Sequence, residues 1–289
     1  VSAPALFLIG HGSRSAAGVE QFWAFSRALG AAAPDLPLGA GLIEFAEPGL
    51  DEGIDKLVAG GAAAVVAVPL VLLGAGHLKD DGPGALARAR RRHPGVAFSY
   101  ARDLGVHPAV LAAVEDRARE AIGDLPGDGR GAVLLVGRGS TDPDANADLA
   151  KAARLLADRR RLFADGDLDE VEPAFVSLAR PSVHEGLDRL ERLGARRVAV
   201  VPYFLFTGLL PERLREESLA WAAGHSRVEV SVGHELGADE RIVSLVLERY
   251  HEALTGDVRM NCDGCLYRAS LPGYETRLGA PNRALGERA

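Results

Sequence analysis

Cysteine is almost absent from this chain: Cys262 and Cys265 are the only two in 289 residues. Two thiols cannot staple a protein of this size, and their CxxC spacing is one that reducing compartments use for metal or redox chemistry. Positive charge is in deficit as well. Lysine and arginine number 33 against 40 acidic residues, for a net charge of -7, so the chain offers no general electrostatic footprint for nucleic acid. Long apolar runs are missing. The greasiest stretch, AAAVVAVPLVLLGAG, ends at His77, Lys79 and Asp80, short of the roughly 20 residues that a membrane-crossing helix takes, and no membrane partner is expected. The first residues carry no basic n-region and pass directly into the strand-like Ala5-Leu6-Phe7-Leu8-Ile9. A secretory signal is therefore not visible, unless processing has removed one, and the cytoplasm is the default expectation. No GxxxxGK[ST] phosphate loop occurs, so dependence on ATP is not expected. What is present, 47% hydrophobic and 25% charged residues, is the balance of a soluble globular protein large enough for two cored domains.

The chain repeats itself. Displaced by 133 positions, PGLDEGIDKLVAGGAAAVVAVP (Pro48–Pro69) falls ungapped on PSVHEGLDRLERLGARRVAVVP (Pro181–Pro202), with 10 of 22 residues identical. LFLIGHGSR (Leu6–Arg14) resembles VLLVGRGST (Val133–Thr141) at a displacement of 127. A repeat of about 130 residues is too long for a solenoid or propeller unit and has the size of a domain. The reading is a duplication, 1–126 and 127–254, joined through the glycine-rich GDLPGDGRG (Gly123–Gly131) and followed by a tail, 255–289. In the first copy, apolar runs at 5–9, 38–43, 64–72 and 96–100 alternate with helix-like segments near 16–31, 48–60, 83–92 and 107–122. Runs without polar alternation suit strands buried on both faces of a parallel sheet. Leu50, Ile54, Leu57 and Val58 form one apolar stripe on the helix that follows Pro48. The fold class expected is α/β: two doubly wound domains with central parallel sheets, in which ligands bind beyond the carboxyl ends of the strands. The tail, rich in Gly, Pro and Arg and carrying MNCDGCLYR, reads as irregular or draped on a domain.

Three strand ends in the first copy carry chemistry. Gly10-His11-Gly12-Ser13-Arg14 closes the first strand just before a helix, where glycines permit a tight turn and free N–H groups face an anion. The plainer reading is a capping turn in which Ser13 or Ser15 caps and His11 is incidental. The second strand ends in Leu42-Ile43-Glu44-Phe45-Ala46-Glu47-Pro48, where Glu44 follows apolar residues and needs a partner. Glu47 stands beside a helix start and reads as a dipole-favoured structural charge. The third run ends in Gly74-Ala75-Gly76-His77. Three parallel strands thus deliver His11, Glu44 and His77 towards one end of one sheet, a donor set that suits cobalt, nickel, iron or zinc without choosing among them. The second copy is an internal control: Arg138 stands for His11, Ser177 for Glu44 and Thr207-Gly208-Leu209 for Ala75-Gly76-His77. The scaffold persists and the candidate ligands do not. The other six histidines, His93, His107, His184, His225, His234 and His251, form no such pattern and read as structural or surface residues.

With those blocks in that order, GHGSR at 10–14, LIEFAEP at 42–48 and VPLVLLGAGH at 68–77, the chain resembles the class II chelatases of the CbiX and SirB type, in the long two-domain form. The resemblance implies insertion of a divalent metal into sirohydrochlorin, with His11 and His77 handling metal and accepting protons and Glu44 the accompanying acid. It implies a metal substrate, Co2+ with Fe2+ and Ni2+ as alternatives, and a tetrapyrrole as the other substrate. It leaves the oligomeric state open. Doubled length and the cysteine tail favour cobalt, hence cobalamin synthesis, over iron and sirohaem. A metal-delivery protein without turnover would use the same three residues. The substrate's carboxylates call for cations and helix N-termini, which makes Ser13, Arg14 and Arg138 candidates for substrate binding. Arginine serves almost everywhere on this surface beside only three lysines, so any single one reads equally as solvated charge. The CDGC segment is similar to the MxCxxC element linked with an iron–sulfur centre in long cobaltochelatases. Cys262 and Cys265 are two thiolates where a [4Fe–4S] cluster usually takes four, so such a cofactor needs ligands from elsewhere.

Overall fold

The computed structural model describes residues 3–123, 131–158 and 168–256. Unbroken apolar segments form strands and the amphipathic segments between them form helices. The first repeat runs β1 (Ala5–Gly10), α1 (Ala16–Ala32), β2 (Leu38–Leu42), α2 (Leu50–Ala59), β3 (Ala64–Pro69), α3 (Gly76–Lys79), α4 (Asp81–Arg92), β4 (Ala97–Tyr100) and α5 (Pro108–Gly123). The second runs β5 (Gly131–Gly137), α6 (Pro143–Asp158), β6 (Leu168–Phe175), α7 (Val183–Arg192), β7 (Arg197–Pro202), α8 (Leu209–Ala223), β8 (Glu229–Val232) and α9 (Glu240–Thr255). The third apolar run leaves the sheet earlier than its hydrophobicity implied, at Pro69, and the short α3 follows.

Each repeat builds a four-stranded, wholly parallel sheet, ordered β2-β1-β3-β4 and β6-β5-β7-β8. The chain moves from β1 to one side and then crosses to the other, so strand order reverses at the β1/β3 junction, the position at which such sheets open a crevice beyond their carboxyl ends. Against one face of the first sheet, Phe7, Ile9, Val65 and Ala67 pack on Leu50 and Ile54 of α2 and Ala85, Leu86 and Ala89 of α4. Leu134, Val136, Val198 and Val200 meet Val183, Leu187 and Leu190 of α7 in the second. Each fully buried large side chain stabilises by about 1.5–3 kcal/mol. The glycine shared by both copies, Gly53 and Gly186, has a packing cause. A Cβ on Gly53 would stand 2.7 Å from the Ala40 carbonyl oxygen, and one on Gly186 would stand 2.6 Å from a Leu134 methyl. At Gly53 the obstacle is backbone, so only glycine lets α2 lie so close to its sheet; at Gly186 it is the tip of a side chain.

The compact units do not coincide with the 1–126 and 127–254 halves of the repeat. One unit is Val1–Gly105 with Ile242–Ala289, the other Val106–Arg241. Helix α5 therefore belongs with the second sheet: Arg197 Nη2 donates to the Ile122 carbonyl at 3.0 Å and Arg117 Nε to that of Glu235 at 3.3 Å. Helix α9 belongs with the first. Arg249, 1% exposed, donates to the carbonyl oxygens of Asp103 and Leu104, both at 2.9 Å. The Tyr250 hydroxyl donates to Pro4 at 2.6 Å. The expected tail boundary at 255 falls on the last residue of α9, and the tail beyond Gly256, with Cys262 and Cys265, lies outside the described residues. Among those residues no helix is long and apolar enough to cross a membrane.

Candidate active site

Hydrogen bonding between β1 and β2 continues past their ends. Ile43 N–H donates to the Gly10 carbonyl at 2.9 Å and Glu44 N–H to that of His11 at 3.1 Å. Two glycines make this approach feasible. A Cβ on Gly10 would stand 2.5 Å from the Phe22 ring, and one on Gly12, at φ 93°, would stand 1.8 Å from the Glu44 carbonyl oxygen. The loop carrying the histidine is thus pressed against the loop carrying the acid.

The pairing brings His11 Nε2 to 3.6 Å from Glu44 Oε1, with each side chain about one-third exposed. His11 Nδ1 lies 3.2 Å from the Gly12 carbonyl oxygen. A carbonyl only accepts, so Nδ1 is the donor in that contact and Nε2 is the ring atom that faces the carboxylate. An imidazole nitrogen and a carboxylate oxygen facing each other can share a proton or, with that proton gone, hold a divalent cation between them. At ligand bonds of about 2.1 Å, a 3.6 Å separation corresponds to a donor–metal–donor angle of roughly 120°, within the range of an open tetrahedral site. The second copy repeats the backbone without the donors. Ser177 N–H donates to the Arg138 carbonyl at 3.0 Å, and a Cβ on Gly139, at φ 84°, would stand 1.9 Å from the Ser177 carbonyl oxygen.

The sequence model of the CbiX family matches residues 5–121 and 132–253. The chain belongs to the CbiX family of class II chelatases. A sirohydrochlorin cobaltochelatase of Priestia megaterium is 36% identical to it over 268 residues, 92% of this chain and 85% of the relative. A sirohydrochlorin ferrochelatase of Bacillus subtilis is 30% identical, over 92% of this chain and 98% of the relative. Among solved structures, SirB from Bacillus subtilis with Fe3+ aligns with a TM-score of 0.74 at 29% identity, covering 88% of this chain and 97% of that one.

In this CbiX-family chain the backbone of His77 lies in α3, beyond the end of β3, the strand beside β1. Its side chain lies outside the described part of the structure. Among the described residues no group of three or more His, Cys, Asp or Glu side chains is placed to hold a metal; the pair that meets is His11 and Glu44. Ser13 has a local task, its hydroxyl accepting from Ser15 N–H at 3.0 Å, while Ser15 caps α1 by accepting from Gly18 at 3.4 Å. The Arg14 guanidinium lies over the Phe45 ring, 4.8 Å from its centre. Arg138 is exposed after β5.

The histidines read as structural include two with clear packing roles. His93 Nε2 is 2.7 Å from Asp55 Oδ1. Burial works against the Asp55 carboxylate, yet the hydrogen bonds from His93 and Arg92 hold its pKa below the ordinary value. His225 stacks on Trp221, ring centres 3.8 Å apart. A cleft of about 740 Å³ borders the acid-bearing loop through Ile43, Ala46 and Glu47 and reaches Asp51. Asp51 is already paired with Arg88 at 2.8 Å and Arg92 at 2.9 Å. Phe45, which lies beside Glu44 and under the Arg14 guanidinium, is not among the residues singled out in the sequence. The available signal was a large apolar residue directly after the acid, matched by Leu178 in the second copy.

Proposed function

We propose that the chain catalyses ATP-independent insertion of Co2+ into sirohydrochlorin. The observation that carries this reading is the His11–Glu44 pair, 3.6 Å apart at the strand-order reversal, in a chain 36% identical to a sirohydrochlorin cobaltochelatase along 92% of its length. Insertion requires a divalent ion to shed water and a free-base macrocycle to lose two pyrrole protons. His11 Nε2 and Glu44 supply two donors from one side, leaving the other positions on the ion to water and then to pyrrole nitrogen. The pair is partly exposed, which suits a cargo ion that must leave. A neutral imidazole is also a base near neutral pH, so His11, His77 and Glu44 share metal holding and proton removal. Ser13, Arg14 and Arg138 are assigned to the substrate's carboxylates, Arg14 and Arg138 as cations.

Iron is the second reading, favoured by the ferrochelatase relative at 30% identity over 98% of that relative's length. The same residues serve either ion. The test is the rate of absorbance change of sirohydrochlorin with purified protein and Co2+, Fe2+ or Ni2+ in turn, without ATP. The fastest enzymic rate with Co2+ supports cobalt, and the fastest with Fe2+ transfers the assignment to sirohaem synthesis. Stoichiometric metal binding with insertion at the uncatalysed rate makes the chain a metal carrier and ends the chelatase reading.

A further inference from the structure

Phe45 follows Glu44 directly, is 52% exposed and sits at φ 66°, a left-handed conformation in which a bulky residue is an outlier. Leu178 occupies the equivalent place in the second copy, at φ 58° and 62% exposed. The turn therefore belongs to the duplicated scaffold. Glycine or asparagine would adopt it at less cost, yet neither copy uses one, and both hold a large apolar side chain out to solvent. Strain combined with an exposed apolar group marks a position kept for contact rather than for stability.

In the first unit that contact has a definable chemistry. The Phe45 ring carries the Arg14 guanidinium 4.8 Å from its centre, and its neighbour in sequence is one member of the His11–Glu44 pair. A flat apolar face, a cation and a metal-donor pair stand on two adjoining loops. Their complement is a flat conjugated ring with anionic substituents at its rim and a metal-accepting centre. We propose that Phe45 is the platform on which the tetrapyrrole substrate rests, with Arg14 taking a rim carboxylate. The inference rests on the sirohydrochlorin reading above and deepens it. Phe45 acts on substrate binding and leaves the dependence on metal concentration alone.

The test compares Phe45→Gly, Phe45→Leu and Phe45→Tyr with the parent enzyme. Three quantities are measured: sirohydrochlorin affinity without metal, followed by its visible spectrum; kcat and KM for cobalt insertion; and the melting temperature. Phe45→Gly removes the ring and relaxes the positive φ. Its Kd and KM for sirohydrochlorin rise about tenfold, kcat changes less than KM, and the melting temperature holds or rises. Phe45→Leu, which copies Leu178, falls between, and Phe45→Tyr restores parental affinity. Parental affinity in Phe45→Gly overturns the proposal, as does weakened affinity accompanied by a lower melting temperature, since the ring would then be serving the loop. A parent enzyme that neither binds nor metallates sirohydrochlorin overturns the chelatase reading itself, and that result is in hand before any variant is made.

Discussion

Gly12→Ala is the sharpest perturbation of the site that leaves every donor in place. The new Cβ would stand 1.8 Å from the Glu44 carbonyl oxygen, about 1.6 Å short of an ordinary contact near 3.4 Å. The left-handed φ of 93° adds a conformational cost of about 1–2 kcal/mol for a residue with a Cβ. Separating the loops weakens the hydrogen bonds from Glu44 to His11 and from Ile43 to Gly10, each contributing about 0.5–1.5 kcal/mol. The expected loss of stability is about 2–4 kcal/mol, and His11 and Glu44 move apart by more than about 1 Å, a displacement able to cost roughly 100-fold in rate. Gly139→Ala is the matched control, because its Cβ would stand 1.9 Å from the Ser177 carbonyl oxygen at φ 84°. It should lower the melting temperature to a similar extent and change kcat for cobalt insertion by no more than about threefold. Thermal denaturation and initial insertion rates on both variants decide the matter. A folded Gly12→Ala enzyme with parental kcat, or a Gly139→Ala enzyme equally impaired, would refute the assignment of the chemistry to the first copy.

Replacing His11 or His77 by alanine should remove most insertion activity, by about 100-fold or more, with little change in melting temperature because both follow strand ends; near-parental turnover in both variants removes the site. Arg138→Ala should raise KM for sirohydrochlorin more than it alters cobalt dependence, as for a group used in ground-state binding; an unchanged KM returns Arg138 to the solvated surface. Truncation after Thr255 removes Cys262 and Cys265 but keeps α9, and insertion should persist; its abolition in a still-folded protein would place the tail in the catalytic machinery. Truncation before Glu240 removes α9 as well. The Asp103 and Leu104 carbonyls then lose the Arg249 donors, at about 1–3 kcal/mol for each group left unpaired, and the first unit should melt at a markedly lower temperature by calorimetry.

Much of this architecture is legible in the residues alone, because strand and helix periodicities are local properties. The alternation of β1, α1, β2, α2 and β3 and the duplication follow from apolar runs and a displacement of 133. The candidate donors follow from reading what stands after each strand, with the second copy, Arg138 and Ser177, as contrast. Other features depend on contacts between residues remote in sequence. The repeat orders elements along the chain but carries no record of which sheet the last helix of each copy joins. The exchange of α5 and α9 is decided by bonds such as those from Arg249 to Asp103 and Leu104. Strand order β2-β1-β3-β4 places the end of β1 between the other two, which no pattern within a single strand specifies. The left-handed turn at Phe45 and Leu178 is silent in sequence because neither position holds the glycine or asparagine that usually announces it. The close approach of Gly12 to the Glu44 carbonyl is likewise a steric fact that exists only once the two loops are side by side.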